Sequence, residues 1–358
     1  AKAKQHLYVV LNDRKDACEI HKLDIDGGGG GRLMMNAGDM ASLKTLRRLP
    51  APPLLRLQRP TVHPCSKFTT VGSSIVTMGE YFSDDYYDSD CCPEARGNTL
   101  VYDTKTAALT VVRHLPEGLL GVYDFVAAIA VGANRLYVLD EGTMDDYRGR
   151  IVGGMHCFRL TDDDDDGSRK KKERWSWWQP DESTRISWSD HPSRLPFDTI
   201  TGQIEAYAVH PKGRTFFVSV RQVDDEGTFS YSVESGKWTR RGDWMLPFVG
   251  HGHYDGELGS WRVVSARQRR ALPEVKVCKE KVFVQVPGWA RVQAELVYMG
   301  GRSEYCLVEW LEPEGSSDEE KCDECVLRLT KMRVVYDGDG ELTVAAHRLS
   351  GCYKVSKV

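Results

Sequence analysis

The chain has 358 residues, a formal net charge of −4, and hydrophobic and charged fractions of 41% and 28%. Wholesale disorder is excluded, because the chain carries enough apolar side chains for a large core. The nearly balanced charge disfavours generic nucleic-acid binding, which needs a basic field over the surface. No membrane association is expected, since the best apolar run, Val126–Ala133, contains Gly132 and is soon followed by Arg135.

Ten cysteines are spread along the chain, and two of them, Cys91 and Cys92, are adjacent. Disulfide frameworks are typical of short, cysteine-dense secreted chains, and adjacent cysteines are awkward to bridge in ordinary geometry. We therefore expect reduced thiols and a cytoplasmic or nuclear location.

Short β-rich runs separated by turn residues recur from one end of the chain to the other, and no segment holds a helical period beyond about two turns. They include Leu7–Leu11, Ser74–Met78, Arg135–Leu139, Thr215–Val220 and Ala294–Met299. The runs form a degenerate repeat of about 50 to 60 residues, which is the length of a four-stranded propeller blade with long loops. The sequence thus predicts an all-β protein that folds as a single closed β-propeller domain over residues 1–358.

The repeat divides the chain into six four-stranded blades, at 6–50, 60–116, 122–190, 200–247, 248–290 and 291–349. The first blade has no room for a strand before Leu7. The C-terminal tail Cys352–Val355 is predicted to supply that strand and close the ring, which would remove free sheet edges. The alternative architecture is a pair of stacked β domains.

Three segments carry a resemblance to a known family. The strand, turn, strand and Leu-Pro pattern over 101–116 resembles a kelch-type repeat. The segments His253–Trp261, Leu296–Gly301 and Tyr305–Val308 are similar to signature segments of a kelch-like family expanded in grasses, domain of unknown function 1668. The resemblance covers essentially the whole chain and implies a plant origin and a propeller fold. It implies no catalytic residues, and the Gly-Gly pair typical of kelch blades occurs here only in the last one, as Gly300 and Gly301.

Acidic residues concentrate in four segments that we predict to join the second and third strands of a blade, at 79–98, 140–150, 221–227 and 312–324. Together they hold 20 acidic and 5 basic residues. Loops of this type emerge on one rim of a propeller, so the sequence predicts an acidic rim. Its first segment also carries aromatic side chains, which suit contact with a basic protein segment. The predicted binding residues are Tyr81, Phe82, Asp84, Asp85, Tyr86, Tyr87, Asp88, Asp145, Asp146, Glu319 and Glu320.

Metal and catalytic signatures are weak. Cys322 and Cys325 are spaced as half of a zinc site, and no second pair follows nearby. His251 and His253 alternate in a Gly-rich run whose context suits a turn beside a packed aromatic better than a metal site. The sequence contains no Gly-x-Ser-x-Gly elbow and no nucleotide fingerprint. We expect no cofactor, no bound metal and no catalytic residues.

These features favour a non-enzymatic protein-interaction module that presents loop-borne contacts to a protein partner with a basic segment. The alternative is a propeller enzyme or sugar-binding protein that uses a central channel. A third possibility is a protein with little biochemical activity of its own.

Overall fold

The computed structural model describes the chain in segments. The described residues are 6–13, 17–25, 46–58, 67–81, 96–113, 115–116, 119, 125–140, 143–145, 150–161, 174–177, 193–197, 199, 202–223, 225–255, 260–262, 278, 280, 282–300, 303–315 and 324–356.

The described residues form β-strands and no α-helix, in agreement with the all-β prediction. In chain order the strands are β1 (His6–Asp13), β2 (Ala17–Asp24), β3 (Leu46–Arg48), β4 (Leu55–Gln58), β5 (Lys67–Val71), β6 (Ser74–Tyr81), β7 (Arg96–Asp103), β8 (Leu109–Arg113), β9 (Phe125–Val131), β10 (Arg135–Asp140), β11 (Thr143–Asp145), β12 (Arg150–Val152), β13 (Gly154–Thr161), β14 (Arg174–Trp177), β15 (Ser193–Arg194), β16 (Gln203–Val209), β17 (Thr215–Arg221), β18 (Glu226–Ser232), β19 (Lys237–Gly242), β20 (Gly250–Asp255), β21 (Ser260–Arg262), β22 (Trp289–Tyr298), β23 (Glu304–Pro313), β24 (Glu324–Tyr336) and β25 (Leu342–Ser356).

The chain divides into two compact units. Unit 1 combines Ala1–Gln58 with His253–Val358, and unit 2 is the continuous stretch Arg59–Gly252. The single domain expected over 1–358 stays a prediction.

Unit 2 is a succession of antiparallel meanders. The first sheet has the order β5-β6-β7-β8. The second has the order β9-β10-β13-β14, and β15 also pairs with β13. The third contains the meander β16-β17-β18-β19, and β20 and β21 extend it beyond β16. β9 in the middle sheet is apolar on both of its faces, and alternate residues of a strand face opposite sides. Ala127, Ile129 and Val131 join a core shared with the third sheet, while Ala128 and Ala130 pack on a core shared with the first.

Unit 1 contains a three-stranded sheet, β1-β2-β4, and a five-stranded sheet, β22-β23-β24-β25-β3. The two sheets share a core in which Leu7 and Leu23 pack with Leu327, Tyr353 and Val355. The N-terminal strands are therefore held by residues from the C-terminal end of the chain.

Successive antiparallel meanders are the arrangement of a β-propeller, but the predicted number of six blades is wrong. The described residues form five sheets of three or more strands. The segment assigned to a fifth blade, 248–290, is used in two other ways. Its strand β20 adds to the third sheet of unit 2 by pairing in parallel with β16, and Val284 and Val286 lie against the five-stranded sheet of unit 1.

The C-terminal tail is a strand, although its described pairing differs from the one predicted. Cys352–Lys354 lies in β25, which pairs antiparallel with β24 on one side. On the other side the same three residues pair in parallel with Leu46–Arg48. The tail thus joins the last sheet and binds β3, and closure of a ring through the first sheet stays a prediction.

Candidate functional site

Most of the predicted binding residues lie outside the described residues. These are Phe82, Asp84, Asp85, Tyr86, Tyr87, Asp88, Asp146, Glu319 and Glu320. Tyr81 and Asp145 are the last residues of β6 and β11, where they pair across the sheet with Arg96 and Arg150. The strand ends that flank the predicted site are therefore held by pairing with a neighbouring strand.

The strand order confirms which strands the four acidic segments connect, while their position on one common rim stays a prediction. In the order of each sheet, the second and third strands are β6 and β7, β10 and β13, β17 and β18, and β23 and β24. The residues between these strands belong to the segments 79–98, 140–150, 221–227 and 312–324. Each acidic segment thus connects a second strand to a third.

In unit 2, a close contact between two turns aligns the first two sheets. The turn between β5 and β6 approaches the turn between β9 and β10 so closely that a Cβ on Gly72 would lie 2.6 Å from the carbonyl oxygen of Ala133. Because these turns lie together, the opposite ends of β6 and β10 point to a common side. The acidic segments 82–95 and 141–149 begin at that side.

The third sheet of unit 2 follows the same alignment. Tyr137, near the beginning of β10, contacts the ring of Phe216, near the beginning of β17, with ring centroids 5.3 Å apart. The connection from β17 to β18 therefore begins on the same side as the other two acidic segments of this unit. We name this side, defined by the far ends of β6, β10 and β17, the acidic side of unit 2.

One acidic residue counted in the predicted rim is buried. Asp140, at the end of β10, is 2% exposed. Its Oδ2 accepts a hydrogen bond from His156 Nε2 at 2.7 Å, and its Oδ1 accepts one from the Gly154 amide at 2.8 Å. The carboxylate thus ties the end of β10 to the beginning of β13 and adds no exposed charge to the acidic side.

A second acidic residue of the rim is paired at the surface. Arg240 on β19 donates to both carboxylate oxygens of Asp225, at 3.0 and 2.7 Å, and to Asp243 at 2.8 Å. The hydrogen bond from Arg240 lowers the pKa of the Asp225 carboxyl. Val223 in the same connection is 82% exposed. This connection therefore carries one carboxylate that is paired, Asp225, and one apolar side chain that is exposed, Val223.

A buried ionic network in unit 1 was missed by the sequence reasoning. Glu309 on β23 is fully buried, and its two carboxylate oxygens accept hydrogen bonds from Arg328 Nε and Arg291 Nε, both at 2.7 Å. The carbonyl oxygen of Val284 accepts a further bond from Arg328 at 2.8 Å. Glu309 and Arg328 are opposite each other in the register of β23 and β24. Opposite charges in the middle of two apolar strand segments were the signal that could have revealed the pair.

Candidate metal ligands are not brought together in the described part of the chain, where no group of three or more His, Cys, Asp or Glu has metal-binding geometry. The His251 ring stacks on Tyr207 with centroids 4.7 Å apart, and burial lowers the pKa of His253. Cys325 is buried in β24, and Cys322 lies outside the described residues. The absence of a metal stays a prediction.

The sheets define a protein of the β-propeller class. The chain belongs to the family described as protein of unknown function (DUF1668), whose model matches residues 4–353. No curated protein matches it.

A comparison with solved structures matched TolB from Acinetobacter baumannii and a prolyl endopeptidase at low similarity. TolB has 9% identity and a TM-score of 0.29, covering 98% of this chain and 66% of its own. The prolyl endopeptidase has 8% identity and a TM-score of 0.27, covering 96% of this chain and 42% of its own. The chain thus spans less than two thirds of the length of either.

No membrane-crossing helix is found among the described residues. A cytoplasmic or nuclear location stays a prediction.

Proposed function

We propose that this protein is a non-enzymatic interaction module that binds a protein partner with a basic segment through the acidic side of unit 2. The observation that carries the proposal is the common side on which three acidic connections begin, at the ends of β6, β10 and β17. The partner-binding residues of this side are Tyr81, Phe82, Asp84, Asp85, Tyr86, Tyr87, Asp88, Asp145 and Asp146. Glu319 and Glu320 belong to unit 1, and their role in binding stays a separate prediction.

The physical basis is the addition of like charges. Fields from carboxylates add when the groups lie within a Debye length, about 8–10 Å at physiological salt. Such a field accelerates the encounter with a basic partner, while apolar contacts of the aromatic side chains slow its dissociation. The charge should therefore act mainly on the association rate, and the aromatic residues mainly on the dissociation rate.

The test begins with affinity purification from the source tissue, followed by mass spectrometry, to obtain the partner. Association rates are then measured by surface plasmon resonance at two salt concentrations for the triple variant Asp84→Lys, Asp85→Lys and Asp88→Lys. We expect a slower association with a weaker salt dependence and a nearly unchanged dissociation rate.

The matched control reverses the same number of charges in Asp162→Lys, Asp163→Lys and Asp164→Lys. These residues follow β13, whose Leu160 amide donates to the Asn134 carbonyl at 2.8 Å, so their segment begins at the opposite end of the sheet. We expect little effect from the control. Equal effects of the two triple variants, or association that is independent of salt, would contradict the proposal.

A further inference from the structure

β8 is the last strand of its sheet, and it exposes two large apolar side chains. Leu109 and Val111 are 43% and 51% exposed. All residues from Lys105 to Val111 are exposed. Within the described residues β8 pairs with β7 alone. Both its outer edge and its apolar side chains are therefore accessible there.

The backbone groups of Leu109 and Val111 point away from β7. The Asp103 amide donates to the Ala108 carbonyl at 2.9 Å, and the register pairs Tyr102 with Leu109 and Leu100 with Val111. Hydrogen-bonded and non-hydrogen-bonded pairs alternate along an antiparallel ladder, so the residue pairs of Leu109 and Val111 are non-hydrogen-bonded. Their N–H and C=O groups are directed outward, where an added strand would bind them.

Two other edge strands, β3 and β19, carry charges that oppose such pairing. β3 presents Arg47 and Arg48, and β19 presents Lys237, Arg240 and Arg241. Charged side chains on a sheet edge are a common protection against pairing with another chain. The first three residues of β8, Leu109–Val111, include no charged residue.

We propose that the outer edge of β8 binds an extended segment of a partner protein, which adds to the sheet as a further strand. Main-chain hydrogen bonds would supply affinity, and alternate side chains of the added strand would pack on Leu109 and Val111. Along the sequence, Lys105 precedes β8 and Arg113 is its last residue, so one cationic residue type stands on each side of the segment Leu109–Val111. The segment that fits carries apolar residues at alternate positions and acidic residues at both ends.

A second copy of the chain fits this edge less well. In an antiparallel pairing of β8 with its copy, Lys105 of one chain approaches the end that holds Arg113 of the other, and like charges at close range are unfavourable. β8 runs towards the acidic side of unit 2, where Arg113 pairs with Asn98. Leu109 and Val111 lie outside the acidic segments, and Val111→Lys leaves all the proposed partner-binding residues unchanged. The failure of one proposal can therefore be distinguished from the failure of the other.

The test uses a synthetic peptide, Glu-Glu-Val-Thr-Val-Thr-Glu-Glu, labelled with fluorescein and titrated with the protein in an anisotropy assay. A first control peptide has Lys in place of every Glu. A second carries N-methyl groups on alternate backbone amides and cannot complete the ladder. We expect saturable binding of the acidic peptide and at least about tenfold weaker binding of both controls.

The protein variants are Val111→Lys and, as a matched control, Val249→Lys, because Val249 is 40% exposed outside the β8 edge. Circular dichroism confirms that both variants are folded. We expect the acidic peptide to bind Val111→Lys at least about tenfold more weakly and Val249→Lys unchanged. Equal binding to the two variants, or no saturation up to about 1 mM protein, overturns the proposal. A dimer in analytical ultracentrifugation that Val111→Lys abolishes would assign the edge to a second copy and overturn it too.

Discussion

Arg328 donates a hydrogen bond from Nε to Oε2 of Glu309 over 2.7 Å, with side chains that are 2% and 0% exposed. This ion pair lies inside the five-stranded sheet of unit 1, and the Arg328 guanidinium also donates to the Val284 carbonyl at 2.8 Å. Glu309 has a further partner in Arg291. A buried charge depends on its partners, because it is desolvated and unpaired once they are removed.

The first prediction concerns this pair. Glu309→Leu should lower the free energy of unfolding by about 3–5 kcal/mol, since it leaves the buried Arg328 guanidinium without a counter-charge. Arg328→Met should cost less, because Glu309 keeps its hydrogen bond from Arg291. The double variant Glu309→Leu with Arg328→Met should lose clearly less than the sum of the two single losses. Urea unfolding measures all three, and purely additive losses would contradict the coupling.

The second prediction concerns the C-terminal tail. Deletion of Cys352–Val358 removes Tyr353 and Val355 from the core with Leu7 and takes away the partner of β3. The free energy of unfolding should fall by several kcal/mol, because buried apolar area is lost and the edge of β24 is exposed. A shorter deletion of Lys357 and Val358, which follow β25, is the control. An unchanged melting temperature in the longer deletion would count against the pairing.

The third prediction tests the alignment on which the acidic side of unit 2 depends. Gly72 and Gly132 have similar positive φ angles, 57° and 67°, but a Cβ at Gly132 would meet nothing within 4 Å. Gly132→Ala should cost about 1–2 kcal/mol for the left-handed conformation. Gly72→Ala should cost clearly more, since its methyl group would also collide with the Ala133 carbonyl. Thermal unfolding compares the two, and equal costs would argue against the contact between the turns.

The fourth prediction concerns the partly buried thiol of Cys157 and the buried thiol of Cys306. Burial raises the pKa of Cys157 to about 11 and that of Cys306 to about 12, since the thiolate loses its hydration. In the native protein at about pH 8 both should react with iodoacetamide far more slowly than in the unfolded chain. Site-resolved mass spectrometry measures the rates, and equal native and unfolded rates would disprove the burial.

The same thiols make stability depend on alkaline pH. Their folded pKa values lie above the ordinary value of 9.0, so above that pH the folded state binds more protons than the unfolded state. The free energy of unfolding should therefore fall as the pH rises from about 9 towards 11. In Cys306→Ala this decline should be shallower.

Periodicity in the sequence was sufficient to predict where the strands lie and which segments connect second strands to third strands. The runs Ser74–Met78, Arg135–Leu139 and Thr215–Val220 are all strands, and each precedes its acidic connection. Alternation and turn residues are local properties, and they report strand positions well. The number of blades was wrong because the parallel partner of β20 is β16, a distant segment that no local pattern indicates.

The side chains of the candidate site were harder to predict for the same reason. Asp140 was counted as a surface charge because it follows an apolar strand and precedes a polar segment. Its burial depends on His156, 16 residues later in the chain. Glu309 and Arg328 likewise neutralise each other only after β23 and β24 are in register. Charge can be counted from the sequence, whereas exposed charge depends on which distant residues meet.

The discontinuous composition of unit 1 has a consequence for synthesis on the ribosome. Leu7 and Leu23 belong to a core completed by Leu327 and Val355, and all of residues 59–252 are translated between them. Unit 2 is continuous and can begin to fold as soon as it emerges, as domains generally do during translation. The apolar face of β1 and β2 therefore remains exposed to solvent until β24 and β25 have been synthesised. This long sequence separation favours slow completion of unit 1 and makes its first strands a target for chaperones.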